Sequence, residues 1–384
     1  MPGLYLHIPF CVRKCLYCDF YSIPTGKGPV ARRLDELEME HQPGFIEALD
    51  RELAGAPAGF QPTTVFLGGG TPTELSDRDF ARLFEAIHRR FDLSRVAEWT
   101  CESNPGTLTA AKIDIMLEAG VNRVSLGVQS LTPSVLEFVG RIHSTEEAIE
   151  GYDLLRRKGV SNINLDFMYG IPGQTLAMLE QDLARAVALG PEHIACYCLI
   201  FEDGTPLTEL RNKGYLKQVD DDTELEQYRR VREILTGGGY EHYEISNYAR
   251  PGFQSEHNKL YWSAGEYLGF GPSAHSHWKG RRFGNIRNLD EYNRRLLAGQ
   301  SVVQFEETLE PEARAREALV MYLRLMDGVS RDEFLARTGF DYAELCGKEI
   351  DWLREIGMID ASHDRLRLTP QGVFVSDAVF AELV

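Results

Sequence analysis

Over the first two hundred positions, apolar residues come in short runs separated by segments with helical periodicity. The runs fall at 4–10, 64–67, 98–101, 123–128, 162–165 and 193–200. Between them, 77–90, 109–119, 144–158 and 175–189 repeat apolar residues at three- and four-residue intervals. Ser76 or Asp77, Thr109 and Ser144 are good N-caps, and Gly120, Gly159 and Gly190 are natural stops. Six such units predict a parallel sheet with right-handed crossovers. A doubly wound sheet and an incomplete barrel both satisfy that pattern, so the polar residues have to decide.

They cluster at the C-terminal ends of the runs. The first run leads to Cys11, Cys15 and Cys18, the second to Gly68–Gly70 and Thr71, the third to Glu102, the fourth to Gln129 and the fifth to Asp166. In β/α barrels that rim is where ligand-binding groups converge. The expected fold is therefore α/β, a partial (β/α)6 barrel over 1–205.

Outside the barrel the pattern changes. Residues 24–44 are rich in Pro and Gly and then charged, which reads as a loop leading to a helix near 45–54. Past 205 the rhythm stops: an acidic stretch at 220–222 precedes a helix at 224–235, Gly237–Gly239 ends it, and 240–248 alternates as one strand. This α+β extension is taken as 206–305. From 306 to 384, helices at 312–326, 331–337 and 342–356, strands at 358–361 and 365–369 and a last helix read as a winged-helix-like domain.

Composition narrows the function. A net charge of −17 argues against binding a nucleic-acid backbone. The third helix of the C-terminal domain agrees, since Asp341, Glu344, Glu349, Asp351 and Glu355 outnumber Lys348 and Arg354. No apolar run approaches the roughly 20 residues of a membrane span. No export signal is evident either, so a reducing cytoplasm is expected, with peripheral membrane contact left open.

The chemistry lies in the Cys11-x3-Cys15-x2-Cys18 spacing, with aromatic Tyr17 before the last cysteine. Three thiolates on a four-iron cluster leave one iron open, whereas a zinc knuckle would need His7 or a distant cysteine to complete it. Cys196 and Cys198, like Cys101 and Cys346, read as small buried hydrophobes.

This triplet resembles the radical S-adenosylmethionine (SAM) superfamily, where the open iron of a [4Fe-4S] cluster binds SAM. The rim is similar to that of its coproporphyrinogen-dehydrogenase branch. That resemblance implies SAM contacts at Tyr5, Tyr17, Gly69, Gly70, Thr71, Glu102, Gln129, Arg141 and Asp166. Further on, His257-Asn258-x-x-Tyr261-Trp262 resembles a motif of the HemW-type haem chaperones of the same branch. It implies haem as a ligand, a haem-accepting protein as partner, and a monomer or a cluster-dependent dimer. His257 is the preferred axial ligand, with His275 or His277 as alternatives. Lys279, Arg281, Arg282 and Arg287 could meet haem propionates or form a solvated basic turn.

Oxygen-independent coproporphyrinogen III dehydrogenase, a radical enzyme, is the competing reading. Its pattern carries a further cysteine two residues after the triplet, where this chain has Phe20, and a longer segment before the cysteine loop. With the His257 motif, these differences favour the chaperone.

Overall fold

The computed structural model describes residues 2–26, 41–362 and 364–384; much of the loop expected at 24–44 lies outside them. Six parallel strands form the centre: β1 (Gly3–Ile8), β2 (Thr64–Gly69), β3 (Glu98–Ser103), β4 (Arg123–Gln129), β5 (Ile163–Tyr169) and β6 (His193–Cys198). Helices α1 (His41–Leu53), α2 (Asp77–Arg90), α3 (Ala110–Ala119), α4 (Thr145–Arg157) and α5 (Leu176–Leu189) cross between them. The caps act as expected: Ser76, Thr109 and Ser144 each accept a backbone N–H of the first turn, and Gly120 and Gly190 close their helices in the left-handed conformation. The fold is the partial (β/α)6 barrel. Leu4, Leu6 and Ile8 of β1 are fully buried in the main core, while the alternate residues Tyr5 and His7 carry the polar groups.

The sheet does not stop at residue 205. Strand β8 (Asn247–Ala249) adds antiparallel to β6, and β7 (Glu241–Glu244) antiparallel to β8. On the other side β9 (Tyr267–Phe270) pairs parallel to β1, and β10 (His275–Trp278), β11 (Arg281–Asn285) and β12 (Val303–Thr308) follow antiparallel. The result is one twelve-stranded sheet, in the order β12-β11-β10-β9-β1-β2-β3-β4-β5-β6-β8-β7. The single strand expected at 240–248 is instead a tight hairpin, turned at Ile245 and Ser246. The buried Glu244 carboxylate accepts the Ser246 N–H at 3.2 Å there. Helix α6 (Asp221–Gly237) begins at an Asp220 cap and ends at the glycines.

Helix α7 (Glu256–Trp262) carries the His257 motif, and α8 (Leu289–Leu297) packs beside α1. The C-terminal domain opens with α9 (Pro311–Tyr322) and holds a three-stranded sheet made by Val329–Ser330, Arg365–Leu368 and Ile359–Ala361. Its expected helix at 342–356 is two, Tyr342–Leu345 and Gly347–Glu355. Buried Cys346 breaks the run, and Arg316 donates to the freed Leu345 carbonyl at 2.7 Å.

Candidate functional site

Two groups of side chains lie at opposite ends of the barrel strands. At the C-terminal end, the cysteine loop is docked on the glycine turn after β2. The Gly70 N–H donates to Ile8 O at 2.8 Å and the Thr71 N–H to Phe10 O at 2.6 Å. Added Cβ atoms show why glycine is required: at Gly70 one would lie 2.6 Å from the Ile8 and Phe10 carbonyls, and at Gly69, with φ +95°, it would strike the His7 ring. Chain packing alone thus accounts for both residues, and the same close approach leaves Thr71 beside the thiols.

Thr71 Oγ1 lies 3.5 Å from Cys11 Sγ and accepts from Asn104 Nδ2 at 2.7 Å. Arg141 donates to Asn104 Oδ1 and to Gly127 O, and its Nη1 reaches Cys15 Sγ at 3.6 Å. Its buried Nε finds no partner among the described residues. Asn104, absent from the sequence-based set, joins the glycine turn to the arginine. The Glu102-Ser-Asn-Pro-Gly segment held that signal. All three cysteines are free thiols, half-buried, and burial raises the thiol of Cys11 and lifts that of Cys18 to about 11. Among the described residues no three His, Cys, Asp or Glu side chains gather closely enough for a single metal ion. His7 is engaged elsewhere, with Nε2 donating to Tyr21 O at 2.7 Å and Nδ1 bonded to the Tyr5 hydroxyl at 3.1 Å.

The remaining rim residues converge. Burial, with Asp166 nearby, pushes the Glu102 carboxyl up to about 8, while the Gly69 N–H opposes the rise. Burial raises Asp166 as well, although Asn164 Nδ2 donates to it at 2.6 Å and Ser125 Oγ at 3.2 Å. Gln129 adopts φ +67° at an irregularity in β4 and accepts from the Tyr197 hydroxyl at 2.8 Å. A non-glycine residue in that region marks local strain, as functional sites often do. Burial raises the phenols of Tyr5 and Tyr17, and Tyr17 packs in a small core with Met168 and Leu199. Two under-neutralised carboxylates, a free guanidinium nitrogen and three thiols can together receive an anionic cluster and a cationic amino-acid ligand. Phe20, at the position of the competing pattern's extra cysteine, is 66% exposed.

The second group is at the N-terminal end. Helix α7 lies against the first residues of three strands. The buried Glu98 carboxylate, opening β3, accepts the backbone N–H groups of Glu256 at 2.9 Å and His257 at 3.0 Å. A carboxylate at a helix N-terminus satisfies orphan donors and the local dipole. His257 is completely buried. Its Nδ1 is bonded to Thr64 Oγ1 and its Nε2 to the Tyr261 hydroxyl, each at 2.8 Å. Its ring lies 5.2 Å from that of Phe66, and Gly3 backs onto it. Burial lowers its pKa to about 3. With both nitrogens engaged, His257 as placed offers no lone pair to an iron. Asn258 contributes only its backbone, to the Ser255 cap.

Tyr261 and Trp262, in contrast, line a cavity of about 740 Å³ between this end of the sheet and the C-terminal domain. His277 lines it too; His275 does not, being exposed beside Phe305. The basic run splits. Arg282 lines the cavity, paired with Glu317 at 2.7 Å and Glu307 at 2.9 Å, and Arg281 is an exposed partner of Glu306. Arg287 is at the other end, over Tyr21 and donating to Asp19 O beside the cysteine loop.

Comparison with known proteins identifies the fold and the family. Residues 5–186 match the Radical SAM superfamily and 309–375 the HemN C-terminal domain. The chain is 36% identical to the haem chaperone HemW of Bacillus subtilis, covering 99% of this chain and 98% of the relative. It is 36% identical to the Escherichia coli protein of that name, covering 88% and 86%, and 32% identical to that of Lactococcus lactis, covering 99% and 96%. The solved coproporphyrinogen III oxidase (HemN) of Escherichia coli has the same fold, with a TM-score of 0.83 at 21% identity over 100% of this chain and 90% of that one. Membership of the superfamily implies a [4Fe-4S] cluster and SAM. On its near full-length similarity to these chaperones, the chain belongs to the HemW family of radical SAM proteins.

Proposed function

We propose that this protein binds haem and hands it to an acceptor protein, with a [4Fe-4S] cluster on Cys11, Cys15 and Cys18 at the opposite end of the barrel. The observation that carries this reading is the near full-length similarity to haem chaperones, with Phe20 in place of the additional cysteine. When bound, the cluster would supply one open iron able to chelate the amino and carboxylate groups of SAM. The chain's own residues then have definite tasks. Arg141 lends positive charge beside Cys15, and Asn104 and Thr71 keep that guanidinium in register with the glycine turn. Glu102 and Asp166 can accept from an ammonium or a ribose hydroxyl, and a bound cation would draw Glu102 back to its ionised form. Gln129, fixed through its Oε1, keeps its amide N–H free to donate.

The test is anaerobic reconstitution with iron and sulfide, followed in parallel by haem titration and a coproporphyrinogen III turnover assay. Haem binding without turnover is the expected result. Formation of protoporphyrinogen IX above background would replace this reading with the dehydrogenase, and failure to bind haem would remove its basis.

A further inference from the structure

Resting on the haem-binding reading, the geometry points to where haem sits and what ligates it. We propose that haem occupies the cavity between β9, β10 and α7 on one side and α9 on the other, with His277 Nε2 as its axial iron ligand.

The cavity's volume of about 740 Å³ lies within the range of ligand pockets, about 300–1,000 Å³. Its walls suit a flat apolar ring. Tyr261, Trp262 and Tyr267 form the sheet-side wall, and Ala315, Ala318 and Met321 of α9 face them. The Tyr261 and Tyr267 rings meet edge-on at 4.6 Å, and the Arg324 guanidinium covers Trp262 at 4.3 Å, so the wall is held in place.

His277 is the imidazole here that is set up as a ligand. Its Nδ1 is bonded to the Gly265 carbonyl at 3.2 Å. A carbonyl only accepts, so Nδ1 is held as the donor, and Nε2, which has no partner among the described residues, is the nitrogen left to ligate. Metal-binding histidines characteristically use the second nitrogen in this way, which fixes the tautomer and raises ligand basicity. His257 differs in both respects, since its two nitrogens are already bonded and it has no exposure. It acts as a positioning residue, holding the Tyr261 hydroxyl from one helical turn away.

The charge of the lining fits the propionates. Arg282, Arg314 and Arg337 line the cavity with Glu266, Glu317 and the last residue, Val384, a concentration of guanidinium groups in a chain of net charge −17. The exposed Arg314 side chain makes no ion pair or hydrogen bond among the described residues, whereas Arg337 spends one side-chain N–H on Ala264 O. A carboxylate arriving at this mouth would find an unengaged guanidinium.

The test is titration of the full-length protein with ferric haem, followed by visible absorption and electron paramagnetic resonance. Wild type, His277→Ala and Arg314→Glu are compared, with iron and sulfide content measured on each. We expect H277A to lose at least tenfold in affinity and to lose the nitrogen-ligand signature, with both recovering on addition of imidazole. R314E, an exposed change, is expected to weaken binding about tenfold without altering that signature. Wild-type affinity and spectra in H277A would overturn the proposal, as would unchanged affinity in R314E. Absence of haem binding by the wild type would instead refute the functional reading itself.

Discussion

At the C-terminal ends of the barrel strands, the polar groups come from successive loops and hold one another: thiol to threonine, threonine to asparagine, asparagine to arginine. At the N-terminal ends they come from one short helix supplied late in the chain, and the strands hold it through Glu98 and Thr64. The first arrangement leaves charged groups short of partners, at Arg141 Nε and Glu102. In the second the motif's histidine is fully satisfied, and the open valence lies on neighbouring side chains around a cavity. A site short of partners is ready for a ligand, whereas a satisfied motif residue builds the wall of a site. Six-residue strands at about 3.3 Å per residue put their backbone ends roughly 20 Å apart, although the side chains approach more closely: burial, then Tyr267, Tyr5 and Glu102, raise the Tyr261 phenol. An aromatic series, Tyr5, Phe66, His257, Tyr261, runs from mid-sheet to the N-terminal group at centroid spacings of 6.2, 5.2 and 4.7 Å.

If the ends are as independent as this, Cys15→Ala should abolish iron and sulfide incorporation on reconstitution and leave haem affinity within about threefold. Iron analysis and a haem titration on the same preparation check it. A parallel loss of haem binding would break the separation.

Glu102→Gln should have opposite effects on stability and binding. A carboxyl raised from 4.5 to about 8 by folding holds its proton more tightly in the native state. Stability from this group is therefore complete below pH 4.5 and lost as pH climbs towards 8. The amide removes that loss, up to about 4 kcal/mol at pH 8. Denaturant midpoints from pH 5 to 8 should fall less steeply in the variant. Buried Glu52 and Glu244, each raised to about 7, keep part of the slope. SAM affinity of the reconstituted protein, measured by calorimetry, should drop at least tenfold. A variant no more stable than wild type at pH 8 would contradict the burial argument.

Phe66→Ala, in the middle of the aromatic series, should affect both ends, destabilising the fold by about 2–4 kcal/mol. Urea denaturation gives the loss, and cluster content and haem affinity should both decline. The smallest effect is expected at Arg281, an exposed partner of Glu306 outside the cavity. Its alanine variant should shift stability by less than about 0.5 kcal/mol and leave the haem titration unchanged.

The barrel was legible because its signals are local. Caps at Ser76, Thr109 and Ser144 and stops at Gly120 and Gly190 each act within one turn. The rim residues followed, since a strand's end fixes where its next polar residue goes. What the sequence could not disclose depends on distant partners. His257 stands in an aromatic, polar neighbourhood that reads as a ligand site, yet Thr64, 193 residues earlier, takes one of its nitrogens. Arg281, Arg282 and Arg287 are neighbours in sequence, but the β11 strand and the turn after it send them to different faces and ends. Asn104 is missing from the expected set because only the fold brings Arg141, 37 residues later, beside it.

The position of β1 between β2 and β9 has a consequence for the order of assembly. The strand that leads directly into the cysteine loop lacks one neighbour until residues 267–270 have been made. A nascent or truncated chain ending near residue 205 would carry β1 as a bare edge, open to pairing with other chains. It would also lack the histidine against which Gly3 packs. Completion of the cysteine loop's support is thereby tied to synthesis of the segment that follows the barrel. The three cysteines leave the ribosome well before that support is complete.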